Sequence, residues 1–254
     1  MRKFTAWMTV IFFWLFALGC PAQIEGRHRK IFSSSSPTVT LVQGNNTTYS
    51  GTGVTSNTVS LTGVTSGDLI MACTTWQAPS SSVVSISSIS DGSTNASLLT
   101  ASNTGATTPE SQICGYWLSA KSGSVSYQSN WGSGVNYAES WVVQSHCSGG
   151  SWYYDTSNQG VANNAMAFSS GNITTLSTGK EIVFGTNRTW GSALTGGTQL
   201  FGSYTPSEGS YSPIPTDNGN HQYYMIGQPL TSSAFTANTG TAYSNANIVA
   251  FNCH

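Results

Sequence analysis

Apolar and polar residues alternate with a period of two along most of the chain, and this pattern predicts strands. It is clearest over Val135–Cys147. There Val135, Tyr137, Glu139, Trp141, Val143 and Cys147 share one face, while Asn136, Ala138, Ser140, Gln144 and His146 mostly fill the other. Successive side chains of a strand point to opposite faces, so the stretch reads as a half-buried strand. Its length and Gly-rich borders place it centrally in a sandwich. Gln112–Ala120 precedes it and returns through Lys121-Ser122-Gly123 as Ser124–Asn130, a hairpin. Upstream, Thr38–Gln43, Thr58–Thr62 and Val83–Ile89 alternate, and Leu69–Trp76 is a nearly continuous apolar run of the kind buried on both faces. Beyond Asp155 the alternation fades until Ile173–Thr175 and returns over Thr178–Gly185. It stops for a Pro- and Gly-rich loop at Ser203–Asn220, then resumes in His221–Gln228 and Asn245–Cys253. No stretch sustains a 3.6-residue apolar period behind a helix cap. The prediction is an all-β, jelly-roll-like (concanavalin-like) two-sheet β-sandwich over residues 38–254.

Ahead of that domain, Arg2-Lys3 and the apolar run Phe4–Leu18 have the layout of an export signal over residues 1–20. The run is shorter than the roughly 20 residues a membrane-spanning helix needs. Ala17-Leu18-Gly19-Cys20 resembles a bacterial lipobox, which makes Cys20 the candidate for lipidation; Cys20-Pro21-Ala22 before Gln23 is a competing cleavage site for simple secretion. Residues 21–37, charged and then Ser-rich, read as a flexible tether. The expected location is therefore extracellular or at the cell surface, with a lipid anchor as the membrane contact. Cysteine usage agrees with that compartment. Beyond Cys20 the chain has Cys73, Cys114, Cys147 and Cys253, an even number with no C-x-x-C pair, and these are the disulfide candidates in any of three pairings.

Charge narrows the partners. Charged residues make up 7% of the chain, and past Ser33 the basic residues are Lys121, Lys180 and Arg188. So few cations cannot neutralise a run of phosphates, which argues against nucleic acid. Abundant Trp and Tyr distinguish the chain from a polar disordered one.

Several short motifs resemble a widespread group of bacterial secreted and surface β-sandwich modules. Val64–Met71 looks like their "GVTAGDLLV" opening, and Asp91-Gly92-x-x-Asn95 is similar to their "D-x-x-G-N" turn. Val142–Ser145 with Ser148-Gly149 resembles their "V-x-E-x-S-G" strand end, followed by the spacing Asp155-x-Ser157-x-x-Gly160. Thr178–Val183 and Ile248–Phe251 resemble the last two core strands. The likeness covers roughly residues 38–252. Gln144 stands where the group usually has Glu, and Cys147 is additional. The resemblance implies a jelly-roll-like fold and no established activity.

Candidate chemistry is sparse. Glu139, between Tyr137 and Trp141 on one strand face, is the one candidate catalytic carboxylate; a glycosidase would pair it with Glu110, Asp155 or Glu208. The bland alternative is a place near a strand end or an ion pair with one of the three basic residues. His146, His221 and His254 have no ligand spacing, so no metal and no cofactor are expected. Asp91 and Asn95 fit an Asx-turn as well as a calcium ligand pair. Aromatics outside the core strands carry the strongest hint. Trp152, Tyr154, Trp190 and Tyr211 are the candidate ligand-binding residues, able to stack on sugar rings; the alternative is that they pack under loops. The expected function is non-catalytic binding of a polysaccharide or cell-surface glycan. A self-associating structural subunit of a matrix or appendage is the second reading, and a sandwich-fold polysaccharide hydrolase or lyase the third.

Overall fold

The structure, a computed structural model, describes residues 36–175, 180–190, 200–201, 207–208, 220–227 and 230–254. The export segment with Cys20, and Tyr211 in the long loop, lie outside the described residues. No helix forms among the described residues. The first half of the chain makes β1 (Thr38–Val64), β2 (Leu69–Gln77), β3 (Ile86–Ser90), β4 (Ser97–Leu98), β5 (Ser102–Asn103), β6 (Glu110–Leu118) and β7 (Gly123–Ser148). The second half makes β8 (Trp152–Ser169), β9 (Glu181–Trp190), β10 (Leu200–Phe201), β11 (Ser207–Glu208), β12 (Asn220–Ile226) and β13 (Phe235–Cys253). These strands form two antiparallel sheets packed face to face, the all-β two-sheet sandwich that the alternation predicts.

The two sheets repeat one topology. In the first, the order is β1-β7-β2-β6-β4, with β3 also on β7 and β5 also on β6. In the second, β8 and β10 flank β13, which continues through β9 and β12 to β11. Each half thus opens on a long strand, closes on a long strand paired with it, and inserts the closing strand beside the second. β5 is the only element without a counterpart among the described residues.

β7 shows how burial follows from this layering. Over Val125–Trp131 buried and exposed residues alternate, but Ala138–Ser145 is buried on both faces. The difference arises because the β1/β7 ribbon folds back across its own sheet. Gln43 Nε2 donates to the Thr62 carbonyl (2.6 Å) and Asn45 Nδ2 to the Ser60 carbonyl (2.8 Å), so β1 doubles over on itself. Gly53 has a positive φ at the fold. A Cβ on Gly134 would lie 2.6 Å from the Gly53 Cα, so the two backbones touch where the ribbon bends.

Three apolar clusters result. One lies between the folded-back ribbon and the outer face of the first sheet, with Leu61, Ile70, Trp76, Trp117, Tyr127 and Val142. The second fills the space between the sheets, with Met71, Trp141, Val143, Trp152, Phe184 and Phe251. The third covers the outer face of the second sheet, with Val183, Leu230, Phe235 and Ile248.

All four candidate cysteines are paired. Cys73 and Cys114 are register partners on β2 and β6, bonded across adjacent strands. Cys147 and Cys253, at the ends of β7 and β13, join the closing strands of the two halves. Gln144 also finds its reason here. Its Nε2 donates to Asp68 Oδ2 (2.5 Å) and its Oε1 accepts from Gln43 Nε2 (2.6 Å). An amide can do both, whereas a glutamate would set a second carboxylate against the buried Asp68.

Candidate functional site

Two places in the sandwich gather polar side chains that the fold could use. The first is the end of the inter-sheet space away from the Cys147–Cys253 bond. Glu139, Thr75 and Gln112 are register partners across β7, β2 and β6, and Tyr137, Gln77 and Glu110 form the next row. Opposite them, Asn247 pairs with Thr186 and Asn245 with Arg188 on β13 and β9. Asn247 Nδ2 donates to Gln112 Oε1 (2.7 Å), and Asn245 Nδ2 to the Glu110 carbonyl (3.2 Å).

Arg188 is the hub of this layer. Its Nε lies 3.6 Å from Glu110 Oε2 and its Nη1 3.6 Å from Glu139 Oε2. Its guanidinium carbon sits 4.7 Å from the centroid of the Tyr137 ring, whose hydroxyl donates to Glu139 Oε2 at 2.7 Å. Glu110, Glu139 and Arg188 are all buried. Burial pushes the Glu110 carboxyl up to about 7, against the opposing pull of Arg188. Burial also raises the Tyr137 hydroxyl far above its ordinary range, so it stays a donor.

The candidate catalytic residue Glu139 therefore shares one guanidinium with Glu110. A glycosidase also needs two carboxylates, but both of these are shut away from solvent. What this arrangement does is tie the sheets together, with one cation between two acids.

The second place is the sandwich edge where β4, β6 and β8 meet. Trp152, the first residue of β8, turns inward into the inter-sheet core and is 7% exposed. This removes it from any surface platform: its ring packs with the core cluster and does not face solvent. Tyr153 and Tyr154 stay at the surface, 50% and 42% exposed. Tyr153 stacks on His254 with centroids 4.1 Å apart. Tyr154 stacks on Tyr116 of β6 with centroids 5.1 Å apart and planes 6° from parallel, and its hydroxyl bonds Ser157 Oγ at 2.8 Å.

In front of this pair lies an open cleft of about 360 Å³, walled by the Tyr116 and Tyr154 rings, the hydroxyls of Ser97, Thr100 and Ser157, and Leu98-Leu99. Burial, then the neighbouring Tyr154, raise the Tyr116 phenol above its usual range. It remains neutral and able to donate.

The other predicted binding residues do not join this cleft. Trp190 ends β9 beside Arg188, with its side chain outside the described residues, and Tyr211 lies outside them altogether. Tyr116 is the contributor that sequence reasoning passed over, since it sits in an apolar strand and reads as core. Asp91 makes the Asx-turn, accepting from the Ser93 and Thr94 amides at 2.8 and 2.7 Å. Among the described residues, no three His, Cys, Asp or Glu side chains converge on one point.

The fold and this edge define a disulfide-bonded β-sandwich with a tyrosine-lined cleft. Comparison takes the identification no further: no family model, no curated protein and no solved structure matches the chain.

Proposed function

We propose that this chain is an exported surface module that binds carbohydrate without transforming it, and that the Tyr116/Tyr154 cleft is its site. The observation that carries the reading is a half-exposed tyrosine face, held rigid by a parallel ring behind it and surrounded by hydroxyls. A sugar ring offers an apolar face to stack on and a rim of hydroxyls to hydrogen-bond, and this cleft supplies both partners. The site is uncharged, which suits a neutral polysaccharide. Export through residues 1–20, with Cys20 as lipid anchor, is part of the same proposal. The two disulfides support an oxidising compartment.

Stacking on an aromatic ring is worth about 1–3 kcal/mol in nucleic-acid systems. At the lower end, one ring with a few hydroxyls gives affinity on the order of millimolar. Affinity electrophoresis of the purified exported protein through gels containing neutral polysaccharides tests this. The wild type is retarded by at least one polysaccharide, and Tyr154→Ala loses about fivefold in affinity or more with an unchanged melting temperature. Equal retardation of the two proteins would remove the site from this cleft.

The structural-subunit reading draws on β1, which forms the edge of its sheet and pairs only with β7 among the described residues, away from the Thr47, Ser60 and Thr62 carbonyls that β1's own side chains already engage. Such an edge can accept another strand. Concentration-dependent filaments of the purified protein, in place of glycan binding, would favour it.

A further inference from the structure

We infer that the ligand is a glycan carrying a short, neutral alkyl-chain substituent, and that the substituent lodges in a second cleft on the far side of Leu98-Leu99. This rests on the carbohydrate reading of the tyrosine cleft and extends it. The second cleft, about 310 Å³, shares Leu98 and Leu99 with the first. Consecutive residues of an extended segment point to opposite faces. Leu98 accordingly leans over Gly115, where an added Cβ would come within 3.0 Å of its Cδ2. Leu99 packs against the inter-sheet cluster. One short stretch thus makes the common wall of two clefts of opposite character.

The tyrosine cleft is bordered by three hydroxyl side chains; the second is bordered chiefly by Trp76, Val83, Val84, Ile86 and Ile113. The one polar atom of Trp76, its indole N–H, already donates to the Val84 carbonyl at 2.8 Å. Asn103 Oδ1 is likewise engaged, accepting from Ser111 Oγ at 2.5 Å. The cleft has little with which to hold a sugar and much with which to hold hydrocarbon. Val83 and Leu98 at its rim stay 50% and 40% exposed, apolar surface that an alkyl group would cover. No charged side chain borders it, so the group is neutral. At the low end of the usual range for small-molecule sites, the volume suits a short substituent and not a lipid tail.

Burying one methylene contributes about 0.8 kcal/mol, roughly fourfold in affinity. The test is calorimetric titration of the oxidised exported protein with methyl, butyl and hexyl β-glucosides and β-galactosides, with hexanol alone as a control. In the wild type, hexyl glycoside binds at least tenfold tighter than the methyl glycoside of the same sugar. In Val83→Asp that gain falls below threefold while methyl glycoside binding persists; Val83 borders the second cleft and not the tyrosine cleft, it is exposed enough to accept the change, and melting temperatures check folding. Tyr154→Ala weakens all the glycosides together. Methyl glycosides binding with no gain from chain length would overturn this inference and leave the carbohydrate site standing. A gain that survives Val83→Asp would also overturn it, because the chain would then lie elsewhere. Binding of hexanol without any glycoside, or of nothing, would remove the carbohydrate reading and this one with it.

Discussion

Replacing Glu110 with Gln should change how stability depends on pH, and the direction separates two views of the Arg188 layer. Glu110 is buried, and its carboxyl is pushed from an ordinary value of 4.5 up to about 7 in the folded protein, chiefly by desolvation. A folded-state value above the unfolded one means that the folded protein prefers the protonated form. The stability this confers is fully present below about pH 4.5, and is lost as pH rises through 7. At about 1.4 kcal/mol per unit, the 2.5-unit difference corresponds to a loss of about 3 kcal/mol once both states are ionised. Most of that loss, about 2–3 kcal/mol, falls between pH 5 and pH 8. The amide of Glu110→Gln would keep the shape and one acceptor but cannot ionise, so this part of the decline should vanish. Urea unfolding at pH 5, 6, 7 and 8, with disulfides intact and m-values constant, measures the gap between the two proteins. The variant should gain on the wild type as pH rises. If instead the Arg188–Glu110 attraction outweighs desolvation, the folded value lies below 4.5, Glu110 is a stabilising anion, and the wild type gains on the variant only between the two values, leaving the curves parallel from pH 5 to 8. Parallel curves would mean that Glu110 does not titrate in this range, and would refute the reasoning outright.

Trp152→Ala should cost about 3–5 kcal/mol in chemical denaturation, as for other large buried aromatics, in place of a selective loss of glycan binding. Replacing Cys147 and Cys253 together by Ser opens a loop of sequence separation 106 and should lower stability by about 2–5 kcal/mol, read as a shift in the denaturation midpoint. Gly134→Ala places a methyl 2.6 Å from the Gly53 backbone. It should destabilise by about 1–3 kcal/mol through forced movement of the ribbon bend, whereas Gly132→Ala, whose nearest neighbour is 4.0 Å away, should cost less.

Strand class was legible because period-two alternation is a local property, and Val135–Cys147 carries it where β7 does indeed lie between β1 and β2. Continuity was not. Thr38–Gln43 and Thr58–Thr62 belong to one strand, β1, because Gly51-Thr52-Gly53 bends a ribbon where turn chemistry predicts a break. β8 was invisible for a different reason. Much of Trp152–Ser169 is Asn, Ser, Ala and Gly, and what makes it a strand is its long register with β13, a nonlocal fact. The face of Glu139 could be read from alternation. Its partner could not, because Arg188 lies on the opposite sheet and nothing in the spacing links them. The repeat left a faint trace: Ser66-Gly67-Asp68-Leu69-Ile70-Met71 and Thr178-Gly179-Lys180-Glu181-Ile182-Val183-Phe184 open equivalent strands with similar residues, offset by one insertion. Reading that trace as two halves needed the strand order.

Charge distribution links the fold to its proposed use. Of eight acids past Ser33, Asp68, Asp91, Glu110, Glu139 and Glu181 are buried, and of three bases Arg188 is. Charges here act inside, as ties: Asp68 to Gln144 and to His146 Nδ1 at 2.6 Å, Lys121 Nζ to Asp91 Oδ1 at 3.5 Å, and Arg188 to its two glutamates. Among the described residues the surface is consequently made mostly of hydroxyls and amides. Such a surface offers few exposed charges for a partner to pair with, and under the carbohydrate proposal ligands are recognised by contact. Under that proposal, rings and hydroxyls at the Tyr154 edge supply the contact. Recognition there should accordingly be insensitive to ionic strength, since there are few fixed charges for salt to screen.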